Sequence, residues 1–139
     1  MSRWQEDGPI RVLLADDERG VREALEDLVA FTPLLELVGS VADAEAAVEL
    51  AAQVQPDVAL VDMRMPRGGG PHAAAGIGRR CPDTRVIAFS AYDDPASLSA
   101  MLEAGAKGYI VKGAPNKDIV DALRTAGLEA RRTKPADAL

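Results

Sequence analysis

The 139-residue sequence predicts an α/β fold in which a parallel sheet carries helices on both faces. The first observation is that short apolar runs of strand length alternate with longer segments whose apolar residues recur at helical spacing. The second is the run Val58–Val61, which is apolar throughout and therefore typical of a strand buried on both faces. Strands of this kind joined by helical crossovers form a three-layer, doubly wound arrangement.

The first half of the chain contains two strand–helix units. Ile10–Ala15 reads as a strand, and a helix at about Arg19–Phe31 follows it until a proline prevents its continuation. Leu35–Val38 is the second strand. Asp43 is a favourable N-cap for a second helix at about 44–54, which has apolar residues on one face.

Two similar units follow. The third strand is Asp57–Val61, and a loop rich in glycine and proline leads to a helix at about 71–80. Two glycines weaken this helix, since each costs about 1 kcal/mol relative to alanine. The fourth strand is Val86–Phe89, and Asp94-Pro95 begins a helix at about 95–104 that a glycine ends.

The last unit completes five strands and five helices. Tyr109–Val111 is the fifth strand, and the final helix opens at a proline and ends near Gly127. We therefore predict one domain at residues 10–127, a flexible lead-in at 1–9, and a charged tail or the start of a linker at 128–139.

Composition excludes several classes of protein. The net charge of −6 argues against direct nucleic-acid binding by this domain. The single cysteine, Cys81, permits no internal disulfide and is typical of a reducing compartment. No apolar run is long enough to cross a membrane, and the N-terminus lacks a signal-peptide pattern. A cytoplasmic location is therefore predicted.

Chemically useful side chains follow four of the strands. Asp16 and Asp17 come after the first strand, Asp62 after the third, Ser90 after the fourth and Lys112 after the fifth. Because the carboxyl ends of parallel strands meet at one edge of a sheet, these side chains are expected to converge there.

This set of groups matches phosphoryl transfer. Crowded carboxylates repel one another unless a cation joins them, and oxygen ligands suit Mg²⁺. A lysine such as Lys112 suits a phosphoryl oxygen, and a carboxylate attacks phosphorus to form an aspartyl-phosphate. The sequence therefore predicts phosphoryl transfer to Asp62, with the metal and the lysine neutralising charge.

At these residues the chain resembles the receiver domain of bacterial two-component response regulators. The resemblance covers about residues 10–127 and implies a flavodoxin-like fold with strand order 2-1-3-4-5. Its motifs occur in the expected order and at the expected separations. They are Asp16-Asp17, Asp62-Met63-Arg64-Met65-Pro66, Gly70, Ser90-Ala91, Gly105-Ala106, Tyr109 and Lys112.

The resemblance assigns roles at the acidic end of the site. Asp62 would accept a phosphoryl group from a phosphohistidine on a partner sensor histidine kinase. Asp17, Asp62 and the backbone carbonyl of Arg64 would bind Mg²⁺ directly, and Asp16 would help through water. Arg64 and Tyr92 lie beside these residues in the sequence, and for that reason they are expected to tune the rate at which water removes the phosphoryl group.

It also implies a switch. Lys112 and Ser90 would hold phosphoryl oxygens, and Ser90 would act with Tyr109, the switch aromatic. The phosphorylated surface would bind an output domain, a partner protein or a second copy. Such a protein is not an enzyme beyond catalysing its own phosphorylation and dephosphorylation.

The chain departs from the family pattern in the loop that follows Asp62. Gly69 stands where Asp or Asn is usual and Pro71 where an aliphatic residue is usual, so the geometry of the loop and third helix stays open. Three alternative functions are open. The first is a Mg²⁺-dependent aspartyl-phosphate phosphatase or mutase, but such enzymes usually carry a second acid two residues after the nucleophile, where this chain has Arg64. Another is a flavin or nucleotide module, although Asp16 and its acidic neighbours would repel phosphate. A third is a receiver used only for protein docking.

Overall fold

The structure, a computed structural model, describes residues 8–91 and 95–133. Strands and helices alternate along the chain. The strands are β1 (Ile10–Ala15), β2 (Leu35–Val41), β3 (Val58–Asp62), β4 (Arg85–Ser90) and β5 (Gly108–Val111). The helices are α1 (Arg19–Ala30), α2 (Ala44–Val54), α3 (Gly69–Arg80), α4 (Pro95–Glu103) and α5 (Asn116–Thr133).

The strands form one parallel sheet in the order β2-β1-β3-β4-β5. Leu14 of β1 lies opposite Leu60 of β3, and Leu60 lies opposite Ile87 of β4. This register brings the carboxyl ends of the strands to one edge. The predicted doubly wound fold and strand order are confirmed.

Two apolar layers sandwich the sheet. On one face α2, α3 and α4 contribute mainly small residues such as Ala47 and Ala74. On the other face α1 and α5 contribute larger residues such as Val29 and Leu123. Residues of β3 enter both layers, because successive side chains of a strand point to opposite faces. This accounts for the uniformly apolar run Val58–Val61.

Several element ends differ from those predicted. β2 does not stop at Val38 but continues through Gly39 to Val41. A Cβ at Gly39 would approach the side-chain ends of Leu13 and Leu50, which would have to shift to make room for it. The proposed cap of α2 is confirmed, since Asp43 accepts a hydrogen bond of 2.8 Å from the Ala46 amide.

The third helix begins at Gly69, two residues before the predicted start. Its internal Gly76 is a packing feature, because a Cβ there would lie 2.6 Å from Cγ2 of Val48 on α2. Close contact between α2 and α3 therefore compensates for the weak helical propensity of the sequence.

The last helix continues to Thr133, past the predicted end at Gly127. Gly127 packs against the side chain of Ile10, where a Cβ would collide. Beyond it, the Arg131 guanidinium donates hydrogen bonds to the carbonyls of Gly8 and Pro9, both at 2.7 Å, and to Asp57 at 2.9 Å. The predicted boundary between domain and tail thus falls inside a helix.

Some predictions lie outside the described residues. They concern residues 1–7 of the lead-in, Tyr92, the Asp94 cap and residues 134–139 of the tail. Within the described ranges, none of the helices combines the length and apolar character needed to cross a bilayer.

Candidate functional site

Three carboxylates meet at the carboxyl edge of the sheet. Asp16 directly follows β1 and Asp62 is the last residue of β3, and these strands are paired up to Ala15 and Val61. Asp16 and Asp62 are buried, whereas Asp17 is exposed. One oxygen of each carboxylate lies within 4.8 Å of the others. The predicted convergence of Asp16, Asp17 and Asp62 is confirmed.

Asp16 is held by its surroundings. Its amide donates to the Val41 carbonyl at 3.0 Å, and its carbonyl accepts from Arg22 at 2.8 Å. Its Oδ1 accepts from the Glu18 amide at 2.9 Å. Its buried Oδ2 lies 3.1 Å from Lys112 Nζ but accepts no well-aligned hydrogen bond among the described residues. An anchored carboxylate with one such oxygen suits a cation or its water.

The surroundings of Asp62 shift the pKa of its carboxyl group. Burial, and then the neighbouring charge of Asp16, raises the pKa of Asp62 to about 6 from its usual 3.8. Lys112 and the Arg64 amide, which donates to Oδ1 at 3.3 Å, oppose that rise. A cation at the site would favour the ionised, nucleophilic form.

Lys112 reaches into the same cluster from the end of β5. Its amide donates to the Ser90 carbonyl at 2.6 Å, which ties it to the end of β4. Its Nζ lies 2.9 Å from Glu18, 3.1 Å from Asp16 and 3.4 Å from Asp62. Only 13% of this side chain is exposed.

The electrostatic setting keeps Lys112 charged. Burial lowers its pKa, but the contacts with Glu18 and Asp16 and the charge of Asp62 outweigh burial. The pKa of Lys112 therefore lies above its usual range. The ammonium group also lies 5.6 Å from the centre of the Phe89 ring.

Ser90 and Tyr109 occupy different environments. Ser90 is buried at the end of β4 and lines an open cleft of about 420 Å³ together with Asp62 and Lys112. Tyr109 lies on the neighbouring edge strand, and 48% of it is exposed. Ser90 therefore lies with the predicted cluster. Tyr109 is half exposed, so its ring could become more buried if it moved.

The loop after β3 is shaped by glycine. A Cβ at Gly70 would lie 2.6 Å from the Asp62 carbonyl oxygen and 2.8 Å from Cα of Met63. The Gly70 amide donates to the Met63 carbonyl at 3.1 Å. This close approach packs the start of α3 against the backbone of Asp62 and Met63. Coordination by the Arg64 carbonyl stays a prediction.

One charged neighbour was missed by the sequence reasoning. Glu18 is one of the acidic neighbours of Asp16, and its side chain contacts Lys112. Its position directly after Asp16-Asp17 is the sequence feature that places it near the site. The partnership with Lys112 could not be inferred from that feature, because 94 residues separate the two along the chain.

Comparisons with known proteins agree with this geometry. The family described as the response regulator receiver domain matches residues 12–124. The oxygen regulatory protein NreC of Staphylococcus carnosus is 37% identical over 117 residues, which are 84% of this chain and 54% of NreC. The transcriptional activator DevR/DosR of Mycobacterium tuberculosis is 35% identical over 119 residues, covering 85% and 54% of the two chains.

A solved structure shows the same architecture. The signal receiver domain of NarL from Mycobacterium tuberculosis superimposes with a TM-score of 0.80 at 34% identity, covering 91% of this chain and 99% of that one. The present chain spans about half the length of the curated relatives. On this evidence it belongs to the receiver domain family of two-component response regulators.

Proposed function

We propose that this receiver is a phosphorylatable switch that accepts a phosphoryl group on Asp62 from a sensor histidine kinase, in a reaction that requires Mg²⁺. One observation carries the proposal. The buried carboxylate of Asp62 lies 3.4 Å from the ammonium group of Lys112, at the edge where Asp16 and Asp17 also present oxygens. A nucleophile, a fixed cation and a set of oxygen ligands are thus adjacent.

The acid cluster fits a hard divalent cation. Asp17, Asp62 and the backbone carbonyl of Arg64 would hold Mg²⁺ directly, and Asp16 would hold one of its waters. The oxygens that Asp16, Asp17 and Asp62 present within 4.8 Å of one another support this assignment. When bound, Mg²⁺ supplies positive charge that stabilises the transferring phosphoryl group.

The chain's own residues would carry the transfer. A carboxylate oxygen of Asp62 attacks phosphorus, the bond from phosphorus to the donor nitrogen breaks, and its electron pair stays on the donor imidazole. Lys112 neutralises developing charge on a phosphoryl oxygen, and Ser90 donates a hydrogen bond to another. Hydrolysis later returns Asp62 to its carboxylate and releases phosphate.

The partners follow from the same role. NreC and DevR/DosR are named as regulators, and the chain spans about half of each. We infer that phosphorylation of this domain controls an output domain, a partner protein or self-association. The receiver itself is not expected to bind nucleic acid, since the chain has a net charge of −6. Catalysis limited to its own phosphorylation, and a cytoplasmic location, stay predictions.

The proposal is tested by intact-mass analysis with Mg²⁺ and a small phosphodonor such as acetyl phosphate. The wild type should gain one phosphoryl group, Asp62→Asn none, and Lys112→Ala much less than the wild type. Asp27→Asn, which removes an exposed carboxylate on α1, is the control and should react like the wild type. Modification that persists in Asp62→Asn would place the nucleophile elsewhere and contradict the proposal.

A further inference from the structure

Glu18 joins the end of β1 to the end of β5 through its side chain. The residue precedes α1, and its backbone carbonyl accepts from the Arg22 amide at 2.9 Å. Within the described structure its carboxylate makes no capping hydrogen bond to the helix. It instead contacts Lys112 Nζ at 2.9 Å, the shortest of the three carboxylate contacts of that ammonium group.

An ammonium group has three N–H donors, and here it faces three carboxylates. A phosphoryl oxygen on Asp62 therefore competes for Lys112 with three existing carboxylate contacts. Two belong to Asp16 and Asp62, whose side chains are buried, being 1% and 7% exposed. The Glu18 side chain is 61% exposed, so water can replace its contact at the lowest cost.

We propose that Glu18 is a positioning residue that holds Lys112 before phosphorylation and competes with the phosphoryl group for its ammonium group. The inference rests on the function proposed above. Glu18 leaves Lys112 when the phosphoryl group arrives, because a phosphoryl oxygen next to buried Asp62 is the less solvated partner. Its carboxylate therefore reduces the affinity of the site for a phosphoryl group.

The effect is of moderate size. An ion pair with one exposed partner contributes up to about 1 kcal/mol, which corresponds to a change of about two- to fivefold in affinity. Glu18→Ala should bind a phosphoryl mimic about two- to fivefold more tightly than the wild type. Glu18→Gln should fall between them, because an amide oxygen accepts a hydrogen bond but carries no charge.

The experiment measures binding rather than turnover. Beryllium trifluoride, a tetrahedral anionic mimic of a phosphoryl group on a carboxylate, is titrated by calorimetry at a Mg²⁺ concentration that saturates every variant. Glu23→Ala is the matched control, because Glu23 lies on α1 and forms an exposed ion pair of 2.9 Å with Arg19. This control should match the wild type, and added salt should reduce the Glu18 effect.

A shorter acidic side chain at position 18 distinguishes the direct contact with Lys112 from the general effect of a negative charge. Glu18→Asp keeps the negative charge but is one methylene too short for the observed contact, so it should bind the mimic as Glu18→Ala does. Wild-type affinity in Glu18→Asp, or equal or weaker binding in Glu18→Ala, would overturn the inference. Those results differ from failure of the proposed function, in which the wild type itself would bind no beryllium trifluoride or Asp62→Asn would bind it equally well.

Discussion

At the scale of single residues, the titration of Asp62 links the site to stability. Burial and the charge of Asp16 raise its pKa from 3.8 to about 6 in the folded protein. Between these values the unfolded chain releases a proton that the folded chain keeps, so the free energy of unfolding falls as pH rises. Above pH 6 the ionised Asp62 lowers the free energy of unfolding by its full amount. That amount is at most about 3 kcal/mol, since each pKa unit corresponds to about 1.4 kcal/mol.

Because ionised Asp62 destabilises the folded protein, we predict that Asp62→Asn increases stability at high pH when Mg²⁺ is absent. The free energy of unfolding should exceed that of the wild type by about 1–3 kcal/mol at pH 8, and the difference should disappear near pH 4. Urea denaturation across this range measures it, with Asp27→Asn as the control for loss of an exposed carboxylate. A difference that grows toward pH 4 would contradict the assigned pKa shift.

At the scale of elements, glycines in two of the helices have opposite effects on stability. Gly127 in α5 packs against Ile10, which leaves no room for a Cβ. At Gly78 in α3 an added Cβ would meet no described atom within 4 Å. Glycine is therefore required by tertiary packing at the first position, whereas at the second it only lowers helical propensity.

The two glycines make a matched pair for mutation. Gly78→Ala should stabilise the protein by about 0.5–1 kcal/mol through helix propensity. Gly127→Ala should destabilise it by about 1 kcal/mol or more, because overpacking outweighs the same gain. Thermal or urea unfolding compares them directly. Equal stabilisation by both substitutions would show that α5 does not pack closely on Ile10.

At the scale of the whole molecule, the arrangement of Ser90 and Tyr109 suits a switch across β4 and β5. Ser90 is buried at the cleft, and Tyr109 lies half exposed on the adjacent strand. A phosphoryl group on Asp62 offers Ser90 a charge-assisted hydrogen bond of about 1.5–3 kcal/mol. Movement of Ser90 would open space for the ring and change the outer surface of α4, β5 and α5.

We therefore predict that phosphorylation buries Tyr109 and raises affinity for a second copy or an output partner by about ten- to a hundredfold. Ser90→Ala should still be phosphorylated but should lose most of this response. Tyrosine accessibility and sedimentation, with and without phosphorylation, measure it. Ser99→Ala, an exposed serine on α4, is the control and should respond normally. An identical response in wild type and Ser90→Ala would exclude Ser90 as the link.

The sequence by itself determined the fold class, the order of elements and the convergence of the site residues. Strand and helix periodicity are local properties, and parallel strands bring their carboxyl ends to one edge whatever the details of packing. Asp16, Asp62, Ser90 and Lys112 could therefore be placed together, because each ends a strand or directly follows one.

Only the tertiary structure decided what depends on contacts between distant parts of the chain. The length of α5 follows from Ile10 against Gly127 and from the hydrogen bonds of Arg131 to the start of the chain. The pairing of Glu18 with Lys112 joins residues 94 positions apart. The raised pKa of Asp62 requires its burial beside Asp16. These properties depend on distances of a few ångströms, which periodicity does not encode.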